Sequence, residues 1–152
     1  MAATHDPLQT SAPRDAVVAI IRDRGRFLFV QRSFAARAAP GYWTPVSGAV
    51  EPGESEAEAV AREVREEVDL TVEADARVAS VPTHDGRYVL HFWTCRIVAG
   101  DARVASDEVA DLRWCTPEEL GALAPVFAED VRIALAAAPA DAHAHAARDG
   151  SH

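Results

Sequence analysis

An α/β fold with a mixed sheet held between helices is what this 152-residue chain predicts, on three observations. Short apolar runs bounded by turn residues recur at residues 15–21, 26–31 and 88–98, the signature of buried strands. Between them, residues 55–68 place Ala57, Val60, Ala61, Val64 and Val68 at the spacing of one helix face docked on a core, with an acidic face opposite. A second helical pattern closes the ordered part of the chain at residues 127–137. The length suits one domain with a proper core.

Taken in order, residues 1–13 are polar, proline-containing and aperiodic, and read as a leader; the domain is expected over 14–138. The run DAVVAII (15–21) and the run RFLFVQ (26–31) form a hairpin across Asp23-Arg24-Gly25. A loop, SFAARAAPGY (33–42), leads to one short strand expected over 43–50, WTPVSGAV. Pro52-Gly53 then turns the chain, and Ser55 with Glu58 three residues on forms a capping box that starts the helix. A strand is expected around 77–81 and a hairpin turn at His84-Asp85-Gly86-Arg87. Residues 88–98, YVLHFWTCRIV, are rich in aromatic and β-branched side chains and should be a central strand. On it His91 and Trp93 share one face and Tyr88, Leu90 and Phe92 the other, with core packing expected ahead of base stacking. A loop at 100–110 precedes a strand at 111–115, and Thr116-Pro117-Glu118-Glu119 is a helix start with cap, first-turn proline and capping-box glutamate. In the last helix Val131 and Leu135 should face inward; residues 139–152, which include His143 and His145, read as an alanine-rich tail.

Composition narrows the function. A net charge of −9 and a pI near 5.0 argue against a basic nucleic-acid footprint and against an anionic membrane surface as the main partner. An anionic small molecule would need locally supplied cations, from arginine and metal. Cys95 and Cys115 stand in no metal-ligand spacing, each within an apolar run, and are expected as buried free thiols. No basic-then-apolar leader and no run of membrane-span length is present, so a cytoplasmic setting is expected.

The helix at 55–68 carries the chemistry. Glu63, Glu66 and Glu67 stand three and four residues apart on one patch, where like charges repel by a few tenths of a kcal/mol per pair. A hard divalent cation would relieve that repulsion, since it takes oxygen ligands from one or two carboxylates together with phosphate oxygens. The polar positions follow a fixed spacing: Gly48, five residues, Glu54, seven residues, Arg62-Glu63-Val64-Arg65-Glu66-Glu67, and two further on Leu70. At average residue usage such a match arises by chance on the order of 10⁻⁷ to 10⁻⁸ per register.

That spacing resembles the Nudix box, in which G, five residues, E and seven residues precede R-E-U-x-E-E-x-G-U, U being aliphatic. Asp69 stands where the family usually has glycine, at a helix end where a left-handed conformation is expected. The resemblance implies the α/β/α sandwich of the Nudix fold and hydrolysis of a phosphoanhydride in a nucleoside diphosphate linked to another moiety. It also implies roles. Glu66 and Glu67 would ligate Mg²⁺ or Mn²⁺ with the Ser47 carbonyl, and Glu63 would ligate or take the proton of the attacking water. Arg62, reached by Glu54, would orient those carboxylates, and Gly48 would allow close backbone approach. Glu108 is the candidate for a further metal-binding or base-acting glutamate; Arg32 and Arg37 are candidates for substrate contact, chiefly to phosphate. The run YWTPVSGAVE (42–51) and the missing glycine resemble the branch that cleaves dihydroneopterin triphosphate and deoxynucleoside triphosphates. A nucleoside-triphosphate-type substrate is therefore expected ahead of ADP-ribose, nucleotide sugars or dinucleoside polyphosphates. The alternative of another class is a catalytically silent nucleotide-binding module, against which stands the full set of box glutamates. Whether the protein acts alone or as a homodimer stays open.

Overall fold

The computed structural model describes residues 12–137. The expectations for the leader and for the tail with His143 and His145 lie outside the described residues, apart from Ala12 and Pro13. In chain order the elements are β1 (Arg14–Asp23), β2 (Arg26–Arg32), β3 (Trp43–Thr44), β4 (Val46–Ala49), α1 (Glu56–Val68), β5 (Thr71–Pro82), β6 (Tyr88–Ala99), β7 (Val109–Cys115), α2 (Pro117–Ala122) and α3 (Ala128–Ala137). The sheet is mixed, in the order β3-β2-β1-β6-β5, with β4 paired to β1 and β7 to β2. β1 and β6 run parallel, Val17 opposite His91, and the other strand pairs are antiparallel.

β1 shows why its sequence is apolar without alternation. Val17, Ala19 and Ile21 belong to the core beneath α1, whereas Val18 and Ile20 belong to the core beneath α2 and α3. A strand covered on both faces must be apolar at every position. The strand also changes partner along its length, from β4 at Ala16 to Ala19 to β2 at Arg22 and Asp23.

That change corrects the single strand expected over 43–50. The chain pairs with β2 at Trp43 and Thr44, breaks at the buried Pro45, and resumes as β4 on β1. Proline has no N–H to continue a ladder, so the break falls there. β5 is also longer than the stretch expected around 77–81. Register shifts between Ala74 and Ala76 and between Arg77 and Ala79 interrupt its alternation and hide it from a period-two pattern. The same bulges twist an outer strand away from straight edge pairing.

α1 is docked by Ala59, Val60, Val64, Glu67 and Val68. Ala57 and Ala61, expected on that face, are only half-buried, because the stripe is centred one position round the helix. In α3 the inward residues are Asp130, Ile133 and Ala134; Val131 packs at their margin, and Leu135 is 42% exposed, contrary to expectation. An alanine-rich helix has little apolar contrast between its faces, so two phases fit the sequence and the structure takes the one carrying an aspartate. Cys95 and Cys115 are buried free thiols, as expected. No helix among the described residues is long and apolar enough to cross a membrane.

Candidate active site

Ser55 caps α1 by accepting from the Glu58 N–H, while the Glu58 carboxylate accepts from the Ser55 N–H at 2.8 Å. One residue upstream, Glu54 accepts from the Glu51 N–H and presents both oxygens to Arg62, to Nε at 2.7 Å and to Nη2 at 3.0 Å. Arg62 further donates from Nη2 to the Ala49 carbonyl, and from Nη1 to Glu63 and Glu66. Its five contacts match the five N–H donors of a guanidinium, so the side chain is held from every direction. The Arg62 hydrogen bond holds the Glu54 carboxyl below its usual range, and Glu54 in turn raises the guanidinium.

Glu63 is tucked against the backbone of β4. A methyl group on Gly48 would lie 2.1 Å from the Glu63 carboxyl carbon, so only glycine fits between them. The demand is for space, since no positive φ is involved at this residue. Burial raises the Glu63 carboxyl, opposed by hydrogen bonds from Glu67 and Arg62. Glu67 is 7% exposed; burial pushes it well above the ordinary carboxylate range, with the Glu63 hydrogen bond and the charges of Glu63 and Glu108 adding to the shift and Arg32 opposing it. The two carboxyls share a hydrogen bond because both cannot be charged in so little water. Glu66, more exposed, turns to Arg62 at 3.3 Å.

A cavity of about 1170 Å³ opens beside this cluster. The structure brings Arg32, Arg37, Ser47, Gly48, Glu67 and Glu108 together on its wall; Glu54, Arg62, Glu63 and Glu66 are not part of that wall. Arg32 donates from Nε to the Ala38 carbonyl at 2.8 Å, which ties it to its own loop and leaves both Nη groups for other partners. Four alanines of that loop, Ala35, Ala36, Ala38 and Ala39, line the cavity without filling it.

Among the lining residues that the sequence reading did not assign to the site are Phe127 and Asp130. Phe127 stacks on Tyr42 with ring centroids 4.6 Å apart and is partly exposed. The Trp43 N–H donates to the Pro125 carbonyl and so seats the start of α3 beside β3. Asp130 is 9% exposed, and burial, helped by the neighbouring charge of Glu129, pushes its carboxyl up to about 7. Its signal in the sequence was an aspartate at the i−3 and i−4 positions of Ile133 and Ala134, where a solvated charge does not belong.

The carboxylates fit a hard divalent ion by their chemistry: crowded and oxygen-only, with Glu67 buried and Glu66 open to solvent. Among the described residues no three His, Cys, Asp or Glu side chains converge as a closed metal cage. Magnesium-type sites take one or two carboxylates and leave the remaining positions to water and phosphate oxygens, so a closed cage is not required.

A mixed sheet between helices, with a glutamate-bearing helix beside a large cavity walled by arginines and carboxylates, suits an anionic ligand held together with a cation. The family model described as NUDIX domain matches residues 12–136, and the chain belongs to the Nudix family. It is similar to the CTP pyrophosphohydrolase of Escherichia coli strain K12, 33% identical over 69% of this chain and 77% of that protein. The nucleoside triphosphatase NudI of Salmonella agona is 33% identical over 70% of this chain and 84% of its own length. Among solved structures, the MutT protein from Methanosarcina mazei Go1 superposes with a TM-score of 0.74 at 26% identity, covering 84% of this chain and 94% of the other. The protein is accordingly a Nudix hydrolase, of a family that cleaves pyrophosphate bonds in nucleoside diphosphates linked to another moiety and generally uses divalent ions.

Proposed function

We propose that the protein is a nucleoside-triphosphate pyrophosphohydrolase that works with Mg²⁺ or Mn²⁺. The observation that carries this reading is the shared cavity. Its wall includes arginines and carboxylates suited to phosphates and their cation, and also an aromatic ring and a buried carboxyl suited to a base. The similarity to a CTP pyrophosphohydrolase and a nucleoside triphosphatase supports the same class.

Glu66 and Glu67 would hold the ion together with the Ser47 carbonyl; when bound, it neutralises phosphate oxygens and acidifies water. Arg32 and Arg37 pair with the phosphate chain, and Gly48, on the cavity wall beside them, leaves room for the Glu63 carboxyl against β4. Arg62, fixed by Glu54, holds Glu63 and Glu66 in place. Of the two candidate proton acceptors we favour Glu108, which lines the cavity, over Glu63, which is bonded to Arg62 and Glu67 behind Gly48. Water attacks one phosphorus, Glu108 takes its proton, and the anhydride oxygen leaves with the departing phosphates. Phe127 offers a stacking face and Asp130 a carboxyl to the base edge. The cavity exceeds the roughly 300–1,000 Å³ of common small-molecule pockets, which favours a bulkier second class: ADP-ribose, nucleotide sugars or dinucleoside polyphosphates.

The deciding experiment is phosphate and pyrophosphate release with Mg²⁺ or Mn²⁺ across nucleoside triphosphates, dihydroneopterin triphosphate and that second class, beside Glu66→Gln as control. Turnover of triphosphates that disappears in the variant supports the reading. Turnover confined to the second class moves the substrate there, and nucleotide binding without turnover rejects the activity.

A further inference from the structure

The loop between β6 and β7 brings Glu108 to the cavity, and it is fastened to the C-terminal end of α1 at Glu67, Val68 and the cap residue Asp69. The Ala105 N–H donates to the Glu67 carbonyl and the Arg103 N–H to the Val68 carbonyl, each at 2.9 Å. Those carbonyls belong to the last turn, which has no partners of its own. Arg103 Nε then donates to Asp69 Oδ2 at 2.8 Å. Where the loop begins, a methyl group added to Gly100 would meet the Asp69 carbonyl at 3.3 Å, so the chain enters pressed against the same helix end. Toward the cavity the Ser106 hydroxyl accepts from the Glu108 N–H, and the Glu108 carbonyl accepts from the Ser33 N–H. The loop thus links the metal-site helix, Glu108 and the loop that follows Arg32.

Asp69 departs from the glycine of the related box, and it does so at φ 57° and ψ 40°, a conformation glycine enters at less strain. Glycine would close the helix equally well there. What it lacks is a carboxylate for Arg103.

We propose that Asp69 is a positioning residue for the hydrolysis: by holding Arg103 it keeps residues 100–108 seated on α1 and Glu108 facing Glu67. The proposal rests on the reading of Glu108 as a group at the reacting centre. Both partners of the ion pair are substantially exposed, so the effect is graded rather than all-or-none.

The test compares Asp69→Gly, Arg103→Ala and Arg103→Lys, each alone, and Asp69→Gly again in a Glu108→Gln background. In Asp69→Gly the amides of Arg103 and Ala105 should exchange with solvent about two- to fivefold faster, the scale of one exposed ion pair. The kcat should fall by a similar factor at unchanged KM, while Tm holds or rises because the left-handed residue is relieved. Arg103→Ala should repeat the exchange and kcat changes, and Arg103→Lys should restore them. In Glu108→Gln, adding Asp69→Gly should leave kcat where it is. Unchanged amide exchange, an equal kcat drop in both backgrounds, or full activity in Glu108→Gln alone would overturn the assignment. Absence of turnover by the unmodified protein on every nucleotide would instead sink the hydrolase reading, and amide exchange would still decide whether Asp69 seats the loop.

Discussion

Two helices each turn one acid into the protein, and they do so in opposite company. Glu67 on α1 meets Glu63, Glu108 and the opposing charge of Arg32; Asp130 on α3 lies in an apolar stripe with Ile133 and Ala134, with only Glu129 adding to its shift. Burial raises both carboxyls. Crowding by like charge suits Glu67 to a cation, whereas isolation makes Asp130 a carboxyl still about half protonated at pH 7, able in that form to donate as well as accept. Burial alone therefore does not assign a role to a carboxylate; its neighbours do.

The sharpest way to break this comparison is to neutralise each acid. Glu67→Gln should cut kcat/KM at least ~100-fold, as loss of a metal-supporting group does. Its metal-free Tm should not fall, because the amide resembles the protonated form that burial favours. A large drop in Tm with activity kept would reverse the contrast. Gly48→Ala is next: its methyl must displace the Glu63 carboxyl, which should destabilise by about 1–3 kcal/mol, as overpacking does, and lower activity with it. Denaturant melts together with turnover rates would check both effects.

Asp130 gives a pH signature of defined sign. Its folded pKa of about 7 lies above the unfolded value, so the native state holds an extra proton between about pH 4 and 7. Stability from this group is complete below pH 4, declines as pH rises through 7, and is flat beyond, a loss on the order of 4 kcal/mol. Asp130→Asn should remove that slope and melt higher than the parent at pH 8; parallel Tm curves from pH 5 to 8 would refute it. The smallest effect tests the phase of α3. Leu135→Lys should stay within about 0.5 kcal/mol of the parent, whereas Ile133→Ala should lose roughly 2–5 kcal/mol. The reverse order would mean that Asp130 faces solvent.

Legibility followed the range of the interactions. The start of α1 could be read because Ser55, Glu58 and the Glu54-to-Arg62 spacing act within two or three turns of one helix. The left-handed conformation of Asp69 was legible for the same reason, since helix ends obey local geometry. The split at Pro45 was not, because it depends on β1 offering its lower half to one strand and its upper half to another. Nor was the phase of α3, where the choice between Leu135 and Asp130 goes with the core that Ile133 and Ala134 join from distant parts of the chain. The bulges of β5 mask its alternation by their nature. Of the site itself, the sequence pointed to residues that act through charge and missed Phe127, whose importance comes only from where Tyr42 and the cavity place it.

The parallel pairing of β1 with β6 has a consequence for how the protein comes into being. Val17 cannot meet His91 until more than half of the chain exists, so the sheet that carries α1 closes late. Local capping can start α1 as a helix well before then, but its apolar face has no finished floor, and Glu63 and Glu67 are not yet buried together. Contacts of such long sequence separation slow folding. A chain halted before β6 would therefore carry the whole box and the local Glu54–Arg62 contacts, but neither the β1–β6 pairing nor the cavity wall that Glu108 and Asp130 complete.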